Sequence, residues 1–288
     1  MHGVMVTGPL LPCTGCHDAK GVQAEVTCQQ TLRMDKPMAM VHADIAGPFA
    51  PSFAGSVYVI MFVDNASRLM RSYGMREKLQ APDRAKQFLA DMGPMECFRT
   101  DNGAEFTGAG FVKLCHERGI RQEFTGAYNA KANGVVENAI QRAVKAGHAA
   151  RLEAKRLFPA VDFDALNLGP DVQRTWLEAI LWVVGCLNRA PTKASTGWHS
   201  AYEVYYWKKP QLQVIPFMQP GRMWLNRSVK IDRQSVQVYY LNSGYNHSSS
   251  TMKVLRASTV AINMTKNVGG GSKATATAAV TLPPGYTI

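Results

Sequence analysis

Nothing in the 288 residues stays apolar for long. A membrane helix needs about 20 consecutive apolar residues. The longest run, AILWVVGCL at 179–187, stops at nine, so no transmembrane span is expected. Residues 1–12 lean apolar but lack the basic start and cleavage site of a secretory signal. Cysteine is scarce too. Six (Cys13, Cys16, Cys28, Cys97, Cys115, Cys186), scattered over a chain this long, make no disulfide scaffold and fit a reducing compartment. Acidic residues are the third shortage: 21 Asp+Glu against 32 Lys+Arg give a formal net charge of +11 and a pI near 9.5. The imbalance is concentrated between Lys208 and Val268, where nine Lys/Arg face the single acid Asp232, leaving that segment at +8. Nucleic acid is the commonest partner for such a surplus, while basic charge that only aids solubility stays open.

What is present supports a real core. Hydrophobic residues make up 46% of the chain, enough for one good-sized domain plus smaller modules. Residues 1–37 are irregular. They hold Cys13-Thr-Gly-Cys16, half of a zinc site, which otherwise reads as unpaired thiols. Met40–Phe49 reads as a strand stopped by Gly47-Pro48. Gly55–Val63 (GSVYVIMFV) is continuous enough to be central in a sheet, and Leu69–Met75 follows after a turn at 64–67. Helices are predicted over Ala81–Met92, Thr107–Arg118, Ala132–Phe158 and Thr175–Asn188, with short strands over Met95–Thr100 and Arg121–Thr125. The order is βββαβαβαα. It predicts an α/β fold, RNase H-like, with helices on both faces of a mixed five-stranded sheet. After Pro191 helical periodicity disappears. Met223–Leu225, Ser235–Leu241 and Met252–Ile262 read as strands of a small all-β module, and Val268–Thr275 as a flexible linker. The expected organisation is a zinc-module remnant and linker over 1–37, a catalytic core over 38–192, a basic β-rich module over 193–266 and a flexible tail over 267–288.

Three carboxylates stand out against this background. Asp44 lies mid-strand in an apolar run, where a carboxylate is costly unless paired or metal-bound; otherwise it faces solvent. Asp101 ends a short strand before Asn102-Gly103, a pattern also common in plain turns. Glu137 starts the long helix, where the helix dipole alone favours an acid. Joint placement on two strands and a helix is harder to explain by chance. Three converging carboxylates repel unless a cation neutralises them. Hard divalent ions, Mg²⁺ or Mn²⁺, take oxygen ligands, and two such ions about 4 Å apart suit phosphodiester displacement. His42 shares a strand face with Asp44 and either tunes the site or is packed. Asn102 and Glu105 lie close to Asp101 in sequence and are candidates to support it. Asp64, with Arg68 four residues on, reads as structural. Beyond Glu137 the same helix face carries Gln141, Lys145 and His148, suited to phosphate or to solvent. In the basic module, Lys230 and Arg233 are candidate DNA contacts.

The spacing of 35 residues between Asp101 and Glu137, with Asp44 upstream, resembles the D,D(35)E site of retroviral and retrotransposon integrases. The words around the acids are similar to the copia-type (pseudoviral) LTR-retrotransposon branch: HADIAGP at 42–48, GSVY at 55–58, FVDNASR at 62–68, TDNGAEF at 100–106 and NGVVE at 133–137. So are WLEA at 176–179, LNRAPT at 187–192 and Lys208-Lys209-Pro210. The resemblance covers roughly residues 13–265. It implies a metal-dependent polynucleotidyl transferase with endonuclease activity. Two Mg²⁺ (or Mn²⁺) would sit on Asp44, Asp101 and Glu137, and the enzyme would trim 3′ ends of element cDNA and join them to target DNA. It also implies a homo-oligomer, no membrane association, and residence in the nucleus and, before import, in a cytoplasmic virus-like particle. Cys13 and Cys16 look like the end of the family's HHCC zinc module. Its two His ligands would lie upstream of Cys13, which implies a chain clipped inside that module. The family's Thr-Pro ahead of Asn133 and its Arg after the catalytic Glu are replaced by Asn129-Ala130 and Asn138. A catalytically weak integrase-derived DNA-binding protein and an RNase H-fold nuclease are the rival readings.

Overall fold

The strand Tyr58–Asp64 (β2, YVIMFVD) is buried along nearly its whole length. That apolar texture can be satisfied only by cover on both faces, and the helices on either side of the sheet supply it. The structure, a computed structural model, describes residues 33–125, 133–193, 195–211, 214–225, 231, 233–246, 251–266 and 268–269. β2 pairs antiparallel with Val41–Ala46 (β1) on one side and Met70–Met75 (β3) on the other. The sheet continues with Cys97–Thr100 (β4) and Arg121–Phe124 (β5), both parallel to β1, in the order β3-β2-β1-β4-β5. This mixed five-stranded sheet with helices on both faces is RNase H-like.

The period-2 alternation of β1 assigns its side chains to two layers. Val41 and Ala43 join Ile60 and Phe62 in a core closed by Ala81–Met92 (α1) and Ala109–Arg118 (α3). In α1 the buried residues Ala81, Ala85 and Phe88 recur at helical spacing, and Pro82 is tolerated in the first turn. In α3 they are Phe111, Leu114 and Cys115, and Gly119 closes the helix at φ 63°. The opposite face of β2, Val59, Met61 and Val63, packs against Gly134–Leu157 (α4) and Trp176–Arg189 (α5). Asp44 and His42 lie on that second face, opposite Met61 and Val63.

The sequence expectations need four adjustments. The helix predicted from Thr107 begins earlier, as the short Ala104–Thr107 (α2), and breaks at the extended Gly108 before α3. A helix, Ala201–Tyr206 (α6), forms after Pro191 where none was expected; a reciprocal Ser200–Glu203 capping box starts it. The single strand expected over Met252–Ile262 is two, Met252–Arg256 (β8) and Ala261–Thr265 (β9), because the chain reverses between them. The first residues of the expected linker, Val268–Gly269 (β10), pair with Pro220–Trp224 (β6). With Ser235–Asn242 (β7) these strands form a second, antiparallel sheet in the order β10-β6-β7-β8-β9.

That sheet rests on the first layer. Tyr239, Leu241 and Leu255 share a core with Ala154 of α4, Ala179 of α5 and the connecting Phe163, Leu166 and Leu168. A polar clasp lies beside it. Glu178, side chain 4% exposed, accepts from Lys253 Nζ at 2.9 Å and from Asn242 Nδ2 at 2.7 Å. Among the described residues no helix is long and apolar enough to cross a membrane.

Candidate active site

The three acids come from the ends of neighbouring elements. Asp44 is partly buried in β1, Asp101 is exposed just beyond β4, and Glu137 is partly buried in the first turn of α4. β1 and β4 are adjacent and parallel, and α4 lies across the face that carries Asp44, so sheet register brings the three towards one end. Asp44 Oδ1 accepts from the Ile45 amide at 2.7 Å. Its carboxyl is pushed up to about 6, first by burial and then by the like charges of Asp101, Glu137 and Glu105, against the Ile45 hydrogen bond. The acids therefore feel one another. Among the described residues, however, no three His, Cys, Asp or Glu side chains close to a metal-holding group.

Asp101 is held by its own loop. Its Oδ1 accepts from the Gly103 amide at 3.1 Å. A Cβ on Gly103 would stand 3.0 Å from that oxygen and 2.8 Å from the Glu105 carboxyl carbon, so alanine there would push on the ends of both side chains. Glu105 pairs with Lys78 Nζ at 2.9 Å, which draws its carboxyl below the usual range although burial acts the other way. Asn102 Nδ2 donates to the Thr125 carbonyl at 3.1 Å, tying the ends of β4 and β5 together.

His42 takes the packed alternative. It is fully buried and touches none of the acids. Burial lowers its pKa to about 4, so the ring is neutral and needs one donor and one acceptor partner. Nε2 accepts from Asn65 Nδ2 at 2.9 Å, and Nδ1 faces Asn133 Oδ1 at 3.4 Å. Asn133 stands at the N-cap position of α4, and its side chain donates not to the helix but back to the Ala43 carbonyl at 3.4 Å, so the chain of contacts ties the helix bearing Glu137 to the strand bearing Asp44. Asp64 is structural as expected: it accepts from the Met38 amide and from the Ser67 amide and hydroxyl at 2.6–2.7 Å.

Gln141, Lys145 and His148 are all exposed on α4, on the face that carries Glu137. Arg233 is exposed in the second sheet's approach to β7. Lys230, Cys13 and Cys16 lie outside the described residues, as do Asn129 and Ala130. Sequence reasoning missed Lys78, Asn65 and Asn133 as positioning groups. Lys78 opens the short 3-10 turn Lys78–Gln80, a stretch with no motif, and the two asparagines act through contacts that no local pattern announces.

The donor set is all oxygen, the chemistry of a hard divalent cation. The opposition of like charges at a desolvated Asp44 is the imbalance such an ion relieves. Asp44, Asp101 and Glu137 offer the oxygen donors that such an ion takes, although among the described residues they do not gather into a metal-holding group.

Comparison with known proteins bears on this arrangement. The sequence model described as "Integrase core domain" matches residues 34–130. The chain is 25% identical over 233 residues to the "Retrovirus-related Pol polyprotein from transposon TNT 1-94" of Nicotiana tabacum, covering 78% of this chain and 15% of that protein. It is 29% identical over 103 residues to the "Pro-Pol polyprotein" of Simian foamy virus type 3 (strain LK3), covering 35% of this chain and 9% of that protein. The chain thus spans only a small part of the curated relatives it matches. Among solved structures, the catalytic core domain of BIV integrase aligns with TM-score 0.40 at 21% identity, covering 59% of this chain and 94% of that one. The simian T-cell lymphotropic virus intasome, solved in complex with PP2A regulatory subunit B56 gamma, aligns with TM-score 0.46 at 15% identity, covering 84% and 81%.

Proposed function

We propose that the chain, whose residues 34–130 match the integrase core domain model, is the catalytic core and basic module of a copia-type retrotransposon integrase. It trims the 3′ ends of element cDNA and joins them to target DNA, working in the nucleus as a homo-oligomer. The observation that supports the reading is the placement of Asp44, partly buried in β1, on a strand parallel to β4 and within electrostatic reach of Asp101, Glu137 and Glu105 from neighbouring elements.

Asp44, Asp101 and Glu137 would hold two Mg²⁺ (or Mn²⁺) ions, which supply charge neutralisation for the attacking and leaving oxygens of an in-line displacement. The chain's own residues do the rest. Gly103 and Lys78 set the positions of the Asp101 and Glu105 carboxylates. The His42–Asn133 contact keeps Glu137 in register with Asp44. The exposed Gln141, Lys145 and His148 offer contacts to the phosphates of the DNA end. In the first step water attacks phosphorus and the bond to the 3′ oxygen breaks, which leaves a free 3′-hydroxyl on the cDNA. In the second step that hydroxyl attacks a target phosphodiester, and the target's own 3′ oxygen leaves. Bonds formed and broken balance in each step, and no covalent enzyme intermediate is needed.

The test is strand transfer with labelled DNA ends and Mg²⁺, comparing the parent with Asp101→Asn. Joining that disappears in the variant supports the proposal, and equal joining in the two refutes it. Cleavage without joining in the parent would favour a nuclease. Salt-sensitive DNA binding with neither reaction would favour a binding protein.

A further inference from the structure

Two tryptophans flank the short helix α6, and both occupy positions that stability alone disfavours. Trp207, at its C-terminal end, is 88% exposed, and Trp198, just before its capping Ser200, is 58% exposed. Both are left-handed, with φ of 53° and 59°. A bulky residue there carries backbone strain that glycine would not, and a ring that large in water gives up its burial. Strain and exposure at the same residue point to a function outside the folded core.

The surroundings say what the rings face. Lys193 Nζ stands 5.4 Å from the centroid of the Trp198 ring. Trp207 lines a cleft of about 450 Å³ with Arg33, Lys208 and Lys209. Among the described residues the acid in that cleft is Glu203: its Oε2 accepts from the Ser200 amide and hydroxyl at 2.8 Å in the capping box, and its Oε1 faces His199 Nδ1 at 3.9 Å. Lys208 and Lys209 are exposed beside the exposed indole, and Arg33 is half-buried in the same cleft. The helix itself is rigidly seated, by the capping box and by Tyr205, whose hydroxyl donates to the Met92 carbonyl at 3.1 Å. An apolar protein partner would call for aliphatic neighbours; rings set among cations suit bases and phosphates.

We propose that Trp207, assisted by Trp198 and the lysines around α6, is a stacking platform for an unpaired nucleotide of a nucleic-acid strand. None of the three candidate catalytic acids lines this cleft, so the platform does not depend on the metal-site reading. The strain at Trp207 then follows from its task of presenting the indole outward at the head of the Lys208-Lys209 pair.

The test uses the full chain in EDTA, so that the acid cluster is idle and failure here leaves the strand-transfer result untouched. Fluorescein-labelled 12-nucleotide probes, oligo-dT and oligo-U, are titrated against the parent and Trp207→Gly, with thermal unfolding measured on both. The expected result has opposite signs. Trp207→Gly unfolds at a higher temperature because glycine removes the strain, yet binds a probe about tenfold more weakly, the scale of one lost base stack. Tryptophan quenching by the probe shrinks in parallel. Lys208→Gln with Lys209→Gln lowers the salt slope of binding by about 1.4, about 0.7 per phosphate contact on a single strand. Which probe quenches more identifies DNA or RNA as the strand. Unchanged affinity in Trp207→Gly overturns the proposal. So does weaker binding that merely tracks earlier unfolding, or quenching that follows protein concentration without probe, which would mark self-association.

Discussion

Lys253→Met should destabilise the protein far more than the loss of one ion pair usually does. Glu178 is 4% exposed, and two groups answer its carboxylate: Lys253 Nζ at 2.9 Å and Asn242 Nδ2 at 2.7 Å. An exposed pair contributes about 0–1 kcal/mol, but a buried carboxylate stripped of its cation costs about 3–5 kcal/mol. The Asn242 bond survives the substitution and the Lys253 end is 24% exposed, which puts the expectation at the lower figure, about 3 kcal/mol. For a unit of this size that is a fall in melting temperature on the order of 6–10 °C. Urea unfolding followed by tryptophan fluorescence reads it directly. Adding Glu178→Gln to the same chain removes the buried charge while keeping an acceptor for Asn242, and should recover most of the loss, with a coupling energy of about 2 kcal/mol in the cycle. If Lys253→Met costs under about 1 kcal/mol, or if the second change recovers nothing, the clasp does not hold the second sheet to α5 as described.

Two further outcomes concern the acid cluster. Gly103→Ala places a Cβ against both the Asp101 oxygen and the Glu105 carboxyl. Strand transfer should fall at least tenfold, about the effect of misplacing a catalytic group, with little change in melting temperature; parent-like joining would show that the loop yields. Lys78→Met removes a cation from the Glu105 and Asp101 carboxylates while changing stability by under about 0.5 kcal/mol, since that lysine is half exposed. The Mg²⁺ needed for half-maximal activity should rise, because Glu105 loses the partner that positions it. A lower Mg²⁺ requirement would mean that Lys78 competes with the metal rather than positioning Glu105.

Much of the fold was legible because its signals are local. The unbroken apolar run of β2 announced a central strand, and the i, i+4, i+7 spacing of Ala81, Ala85 and Phe88 announced α1. What failed was also local in origin. Ala201–Tyr206 is aromatic and partly exposed, so no apolar stripe advertised a helix, and the capping box that starts it was the overlooked signal. Met252–Thr265 has no Gly or Pro to mark the reversal between β8 and β9, and the strand pairing alone reveals it. Val260 at φ 45° takes part of the turn that a glycine would ordinarily make.

By itself the sequence singled out the residues whose chemistry makes them candidates: three acids at their spacing, the surplus of cations after Lys208, and the polar stripe of Gln141, Lys145 and His148, which is exposed on α4. Tertiary structure alone decided what each one touches. Alternation could say that His42 and Asp44 share a face, but not that the face meets α4, nor that His42 turns to Asn65 and Asn133 instead of to the acids. Glu178 reads as an ordinary first-turn acid until Lys253, 75 residues on, is brought to it. Lys78 reads as a loop lysine until Glu105, 27 residues on, arrives. Periodicity and capping are set by neighbours a few residues apart, whereas these partners are chosen by how whole layers pack, which no short stretch of chain encodes.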